Sequence, residues 1–153
     1  MKTSDRSQLF SLSDAEHIAS IILIILGPHC HKIHVAGSIR RKKAYVKDIE
    51  ICCVPKTMTG TDLFNYHSNE RSIDFISCVH KLGKIMKGKP SGRYIQIALL
   101  QGINLDLFMP TENDYYRQLA IRTGSAEYSH KVIARAWRMA GWVGTSKGLR
   151  KKY

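Results

Sequence analysis

Apolar residues at Ile18, Ile21, Ile22 and Ile25 recur at helical spacing, and Gly27-Pro28 ends the pattern. Ser13, with Glu16 three residues on, reads as the capping box that opens this helix, while residues 1–12 are polar and expected to fray. Ile33–Ala36 reads as a short strand, with Gly37-Ser38 as the turn after it. Arg40–Lys47 is a basic loop or a short helix start. Asp48–Val54 is rich in β-branched residues and cysteine and reads as a strand closed by Pro55. Residues 57–69, with Gly, Asn, Ser and Thr, read as a loop. Ile73, Ile76, Val79 and Leu82 then predict a helix over 70–82. Tyr94–Leu100 and Ile103–Met109 are two strands joined by the Gln101-Gly102 turn. Thr111, followed by Glu112 and Asp114, can cap a helix to about Arg122, which Thr123-Gly124-Ser125 breaks. A last helix covers about 127–140 with Gly141 at its end, and Trp142–Val143 with Leu149–Tyr153 form a terminal hairpin.

This order predicts an α+β fold, a mixed β-sheet backed by helices over residues 1–110. Residues 111–153 follow as a small, basic, mostly helical lobe. The chain's 153 residues are 44% apolar and 24% charged, which is globular rather than disordered composition. The longest apolar run, Ile18–Gly27, is too short to span a bilayer and has neither the position nor the flanks of a signal peptide. No membrane partner is therefore expected. Cys30, Cys52, Cys53 and Cys78 form no CxxC pair and read as free thiols of a reducing compartment, cytoplasm or nucleus, not of a secreted protein. Adjacent Cys52 and Cys53 should point to opposite faces of their strand. The group His29, Cys30, His31 and His34 lacks the spacing of a zinc site.

Charge changes the picture. Lys and Arg number 24 against 12 Asp and Glu, a formal net charge of +12, which points to a polyanionic partner, most often nucleic acid. No acid lies between Asp74 and Asp106, where Lys81, Lys84, Lys87, Lys89 and Arg93 fall, nor after Glu127, where Lys131, Arg135, Arg138, Lys147, Arg150, Lys151 and Lys152 fall. These are solvated basic faces or, as such one-sided clusters more often are, a track for a phosphate backbone.

The chemistry sits in three acids. Asp48 and Glu50 share one face of their strand, and two adjacent carboxylates can be buried only beside a cation. Their oxygens suit Mg²⁺. Asp106 interrupts the apolar strand Asn104-Leu105-Asp106-Leu107-Phe108, and a third carboxylate beside the first two would complete a two-metal site for phosphoryl or nucleotidyl transfer. Taken alone, an Asp-x-Glu pair reads more often as the solvent face of an edge strand. Upstream, Gly37 lets a phosphate approach the backbone, Ser38 can donate to it, and Arg40 and Arg41 add forked donors.

Gly37-Ser38-Ile39-Arg40-Arg41, Asp48-Ile49-Glu50, Leu105-Asp106-Leu107 and Thr123-Gly124-Ser125 together resemble, over residues 13–145, the DNA polymerase X family, the small repair polymerases of the nucleotidyltransferase superfamily. Tyr115-Tyr116 and the helix after Ser125 fit as well. The resemblance implies a polymerase beta-like nucleotidyltransferase palm and a small thumb. It implies a DNA-directed DNA polymerase that adds dNTPs to a primer 3′-hydroxyl, filling short gaps in DNA repair as a monomer on gapped or primer-template DNA. By it, Asp48 and Glu50 bridge two Mg²⁺ ions, for which Mn²⁺ can substitute, and Asp106 binds the catalytic one. Gly37, Ser38 and Arg41 hold the triphosphate with the Lys47 amide nearby, and Arg40 stands behind them. Thr123-Gly124 turns against the incoming sugar. The helix with His130, Lys131, Arg135 and Arg138 faces the base pair and template, though His130 reads equally as plain surface.

Five departures leave other readings open. Glu50 stands where the family usually has Asp, as in some small-molecule nucleotidyltransferases. Ile121-Arg122 replaces a frequently aromatic pair that lies under the sugar, which opens the choice between ribo- and deoxyribonucleotides. Asn104 replaces a common arginine. No lyase domain is expected before the palm, and the short end of the chain reads either as a minimal thumb, as in the smallest viral members, or as a truncated one. The alternatives are a nucleotidyltransferase acting on an RNA end, a protein or a small molecule, and an inactive nucleic-acid-binding module.

Overall fold

The computed structural model describes residues 8–59, 67–146 and 148–151. It is a mixed α+β structure built on a five-stranded sheet. Two short strands, β1 (Phe10–Ser11) and later β3 (Tyr45–Val46), pair antiparallel and set where helix α1 (Leu12–Leu26) begins. The predicted capping box at Ser13 is corrected here. Ser11 caps the helix by accepting from the Asp14 amide, and Glu16 instead takes the Lys42 ammonium at 2.6 Å. The β1–β3 pairing brings the chain in early, so the cap falls two residues before the expected one.

After a 3₁₀ turn at Gly27–His29 come β2 (Cys30–Val35), the one-turn helix α2 (Gly37–Arg40) and β4 (Asp48–Pro55). The stretch 57–69, read as a loop, is instead partly extended: β5 (Thr57–Thr59) and β6 (His67–Arg71) pair antiparallel, with residues 60–66 outside the described set. Ser72 then caps α3 (Ile73–Leu82) through the Phe75 amide. A strand that the hydropathy pattern did not reveal, β7 (Gly83–Gly88), runs antiparallel to β8 (Tyr94–Leu99), which turns through Gln101-Gly102 into β9 (Asn104–Phe108). The lobe after Pro110 holds a 3₁₀ turn (Glu112–Asp114), α4 (Tyr115–Thr123), and a helical rod made of α5 (Ala126–Tyr128), a π-helical segment (Ser129–Ile133) and α6 (Ala134–Met139). The hairpin β10 (Trp142–Thr145) and β11 (Gly148–Lys151) ends it, longer on the inner side than the pattern predicts by two residues in β10 and one in β11; residues 152–153 lie outside the described residues.

The sheet order is β2-β4-β9-β8-β7, with β4 and β9 parallel and every other pair antiparallel. Alternation divides each strand between two layers. Ile49, Ile51, Cys53, Leu105, Leu107, Ile95 and Ile97 are fully buried against Ile22 and Leu26 of α1 and Phe75 and Val79 of α3. On the opposite face α4 covers only one end of the sheet, where Tyr115 and Leu119 pack on Cys52, Val54 and Phe108. Cys52 and Cys53 thus enter opposite layers, as expected. All four cysteines are free, and Cys30, Cys52 and Cys53 are buried. The Tyr115 hydroxyl donates to the Cys52 carbonyl at 3.0 Å and lies 2.8 Å from His34 Nδ1, which pins the start of α4 to the sheet.

The terminal hairpin is tied down by charge. Buried Asp114 receives Arg117 through both of its oxygens and Gln118 at 3.1 Å, and Arg93 donates to the Ser146 carbonyl at 3.0 Å. Among the described residues, no helix is long and apolar enough to cross a membrane.

Candidate metal centre

The end of the sheet that α4 leaves uncovered carries the acids. Asp48, Glu50 and Cys52 share the α4 face of β4, and Asp106 and Phe108 share that of β9. The parallel register sets Glu50 directly beside Asp106 and Asp48 beside Asn104. The ligand oxygens of Asp48, Glu50 and Asp106 lie within 4.8 Å of one another, close enough to bind a metal ion. Among the described residues no Lys or Arg makes an ion pair with any of the three. Three half-buried carboxylates at this separation repel strongly, and a divalent cation is the partner that fits them.

Their protonation reports the same strain. Burial, then the charges of Asp48 and Asp106, push the Glu50 carboxyl up to about 7, against the pull of Arg41 and Arg122. Burial and Asp106 also raise Asp48, while Lys47 lowers it. A raised carboxylate holds in the folded state a proton that the unfolded chain releases, so its contribution to stability is lost as pH rises from 4.5 to about 7. His34, lowered by burial, Arg40 and Lys32, works in the opposite direction below pH 6.5, so the comparison must be made against Glu50→Gln. We expect the chelator-treated protein to lose melting temperature relative to Glu50→Gln over pH 4.5–7, and Mg²⁺ to raise the wild-type melting point increasingly over the same range. Parallel profiles, with or without Mg²⁺, would sink the site.

The motif Gly37–Arg41 stands against this cluster. Gly37 has φ +61°, and a Cβ there would sit 1.6 Å from Glu50 Oε2, so the Glu50 carboxylate occupies the space over the glycine. The Ala36 amide donates to the Glu50 carbonyl at 2.8 Å and fixes the turn to the strand. Ser38 is half-buried, Lys47 is exposed, and Arg41 Nη1 donates to the Thr123 carbonyl at 2.9 Å. That bond joins two motifs 82 residues apart. Gly124 has an ordinary backbone, φ −68°, and its lack of a side chain serves packing: a Cβ would lie 2.7 Å from Ser129 Oγ and 2.9 Å from the Tyr128 ring. Ser125 caps the following rod through the Tyr128 amide.

Two clefts flank the carboxylates. One of about 370 Å³ is lined by Glu50, Arg122, Gly124, Ser129 and His130, which places His130 across from the acids. The other, of about 550 Å³, is lined by Arg93, Tyr94, Asp106, Phe108, Arg117 and Arg122. Lys131 pairs with Glu127 along its own helix at 2.9 Å, Arg135 is exposed, and Arg138 lines a separate groove with Trp137 and Trp142. The lysines at 84, 87 and 89 lie exposed on or just after β7, an open edge strand where charge also discourages pairing with another chain.

Sequence reasoning missed three residues of this region. Arg122, noted only as a departure, stands between the two clefts with its guanidinium 4.2 Å from the Phe108 ring centre. Tyr94 and Gln96 both donate to Asp106 Oδ1, at 2.6 and 3.2 Å. Burial and Asp106 push the Tyr94 hydroxyl up to about 12, which keeps it a donor at neutral pH. The alternation of β8 shows that Tyr94 and Gln96 share a face; nothing local says which acid they meet. Compared with known proteins, the chain matches no protein-family model and no curated protein.

Proposed function

We propose that the chain is a nucleotidyltransferase with a polymerase beta-like palm, acting as a DNA-directed DNA polymerase of the X-family type. The observation that carries this reading is the trio Asp48, Glu50 and Asp106 assembled beside the Gly37–Arg41 turn, metal ligands and phosphate donors in one place. Asp48, Glu50 and Asp106 would hold Mg²⁺, which when bound offsets phosphate charge and lowers the pKa of an acceptor hydroxyl. The primer 3′-oxygen would bond to the α-phosphorus, the α–β phosphoanhydride would break, pyrophosphate would leave and the hydroxyl proton would pass to water.

The chain's own groups position the reactants. The Ser38 hydroxyl and the part of the Arg41 fork not bound to Thr123 would hold the β- and γ-phosphates. Arg41 also fixes the Thr123-Gly124 turn, so triphosphate and sugar would be located by one side chain. His130 would face the base across the cleft that it shares with Glu50. The basic surfaces of β7 and of the rod would carry the phosphate backbone.

The test is extension of a one-nucleotide-gapped duplex with each dNTP in turn and Mg²⁺. Incorporation that follows the template supports the reading. Addition without template dependence, or only to other acceptors, would replace it with a nucleotidyltransferase of different acceptor; DNA binding without turnover would leave a binding module.

A further inference from the structure

We propose that Tyr94 and Gln96 are positioning residues for Asp106, two neutral donors that set the rotation of its carboxylate so that it can share a cation with Asp48 and Glu50. The inference rests on the metal-site reading above. Ile95, Ile97 and Leu99 point into the core, so Tyr94 and Gln96 emerge on the carboxylate face. The antiparallel register then sets Gln96 opposite Asp106 and Tyr94 opposite Phe108. Across three strands Glu50, Asp106 and Gln96 form one row.

Both hydrogen bonds fall on Oδ1, at 2.6 Å from Tyr94 and 3.2 Å from Gln96. Two donors on one oxygen fix the plane of the carboxylate, and the second oxygen carries no hydrogen bond among the described residues. Neither donor is charged. A lysine or arginine in their place would neutralise Asp106 and compete with a cation, whereas an amide and a phenol orient it and leave its charge available. Tyr94 is itself held, its ring stacked on Phe108 at 5.2 Å and 30°, with Phe108 carrying the Arg122 guanidinium. The chain of contacts from Arg122 to Asp106 gives the third acid side-chain hydrogen bonds that Asp48 and Glu50 do not receive among the described residues.

The experiment titrates Mn²⁺ into the full chain without nucleotide or DNA, following free Mn²⁺ by electron paramagnetic resonance, for wild type, Tyr94→Phe, Gln96→Leu and Asp106→Asn, each checked for folding by circular dichroism. Tyr94→Phe removes one oxygen and keeps the stacked ring. We expect about tenfold weaker Mn²⁺ binding in Tyr94→Phe and a similar loss in Gln96→Leu. In gap filling, kcat should fall at unchanged KM for the nucleotide. If Tyr94→Phe does not fold, Gln96→Leu carries the test. Wild-type Mn²⁺ affinity in the folded variants, with binding lost in Asp106→Asn, would overturn the positioning role and leave the metal site standing. No binding by wild type, or equal binding by wild type and Asp106→Asn, would overturn the metal site and this inference with it.

Discussion

Asp106→Asn should lose the proposed nucleotidyl transfer by about 10³-fold or more while keeping nearly the wild-type affinity for gapped DNA. The size follows from removing one of the three proposed ligands to an ion that would supply several kcal/mol of transition-state stabilisation, at 1.36 kcal/mol per factor of ten. DNA affinity should survive because the proposed phosphate contacts belong to lysines and arginines that make no ion pair with Asp106 among the described residues. Without metal, the same variant should melt no lower than wild type. Asn keeps an oxygen for Tyr94 and Gln96, and loss of the Asp106 charge relieves the repulsion that raises both Asp48 and Glu50. Activity lost while stability holds or rises is the pattern of a cluster kept for chemistry at a cost to the fold. It is measured by single-turnover gap filling, filter binding and calorimetric melting on one preparation. Turnover comparable to wild type would end the two-metal assignment.

Gly37→Ala is the second large effect, and it divides into two parts. A side chain at φ +61° costs about 1–2 kcal/mol, which lowers the melting temperature of a chain this size by roughly 3–8 °C. Separately, the new methyl would sit on Glu50 Oε2, so the carboxylate must leave its place beside Asp106. Activity should fall about 10–100-fold. Adding Glu50→Asp shortens the acid and removes the atoms in conflict, so the double variant should regain activity over Gly37→Ala without regaining its melting temperature. A Gly37→Ala protein as active and as stable as wild type would contradict the packing of the turn against Glu50.

The pairing of Gly37 with Glu50 also explains why a glutamate can stand on this strand. Its extra methylene carries the carboxylate back over a residue with no side chain, into room that an alanine would close.

Local pattern was enough for part of this. Alternation put Asp48 and Glu50 on one face and split Cys52 from Cys53, because a strand's period is two whatever its neighbours are. Asp106 was visible as an acid in an apolar strand, and Gln101-Gly102 as the turn before it. Other strands were not visible. β5–β6 lies in a stretch where Gly60, Asn65, Ser68 and Asn69 interrupt any alternating apolar pattern, and it forms from cross-strand partners such as Thr57 and Arg71. β7 has lysines where a core strand would have hydrophobes, and it is extended because β8 offers an open edge. The early start of α1 has the same kind of cause, a pairing of Phe10 with Val46 that no helix signal contains.

Residue type and spacing therefore established which acids and donors share a face within each element. Which elements lie side by side was settled by folding. Glu50 meets Asp106 because β4 and β9 run parallel in one register, 56 residues apart in the chain. Tyr94 and Gln96 reach Asp106 because β8 returns on its far side, and Arg41 reaches Thr123 because α4 packs across the end of the sheet. Those contacts depend on burying both layers of the sheet at once, a condition that no window of sequence contains.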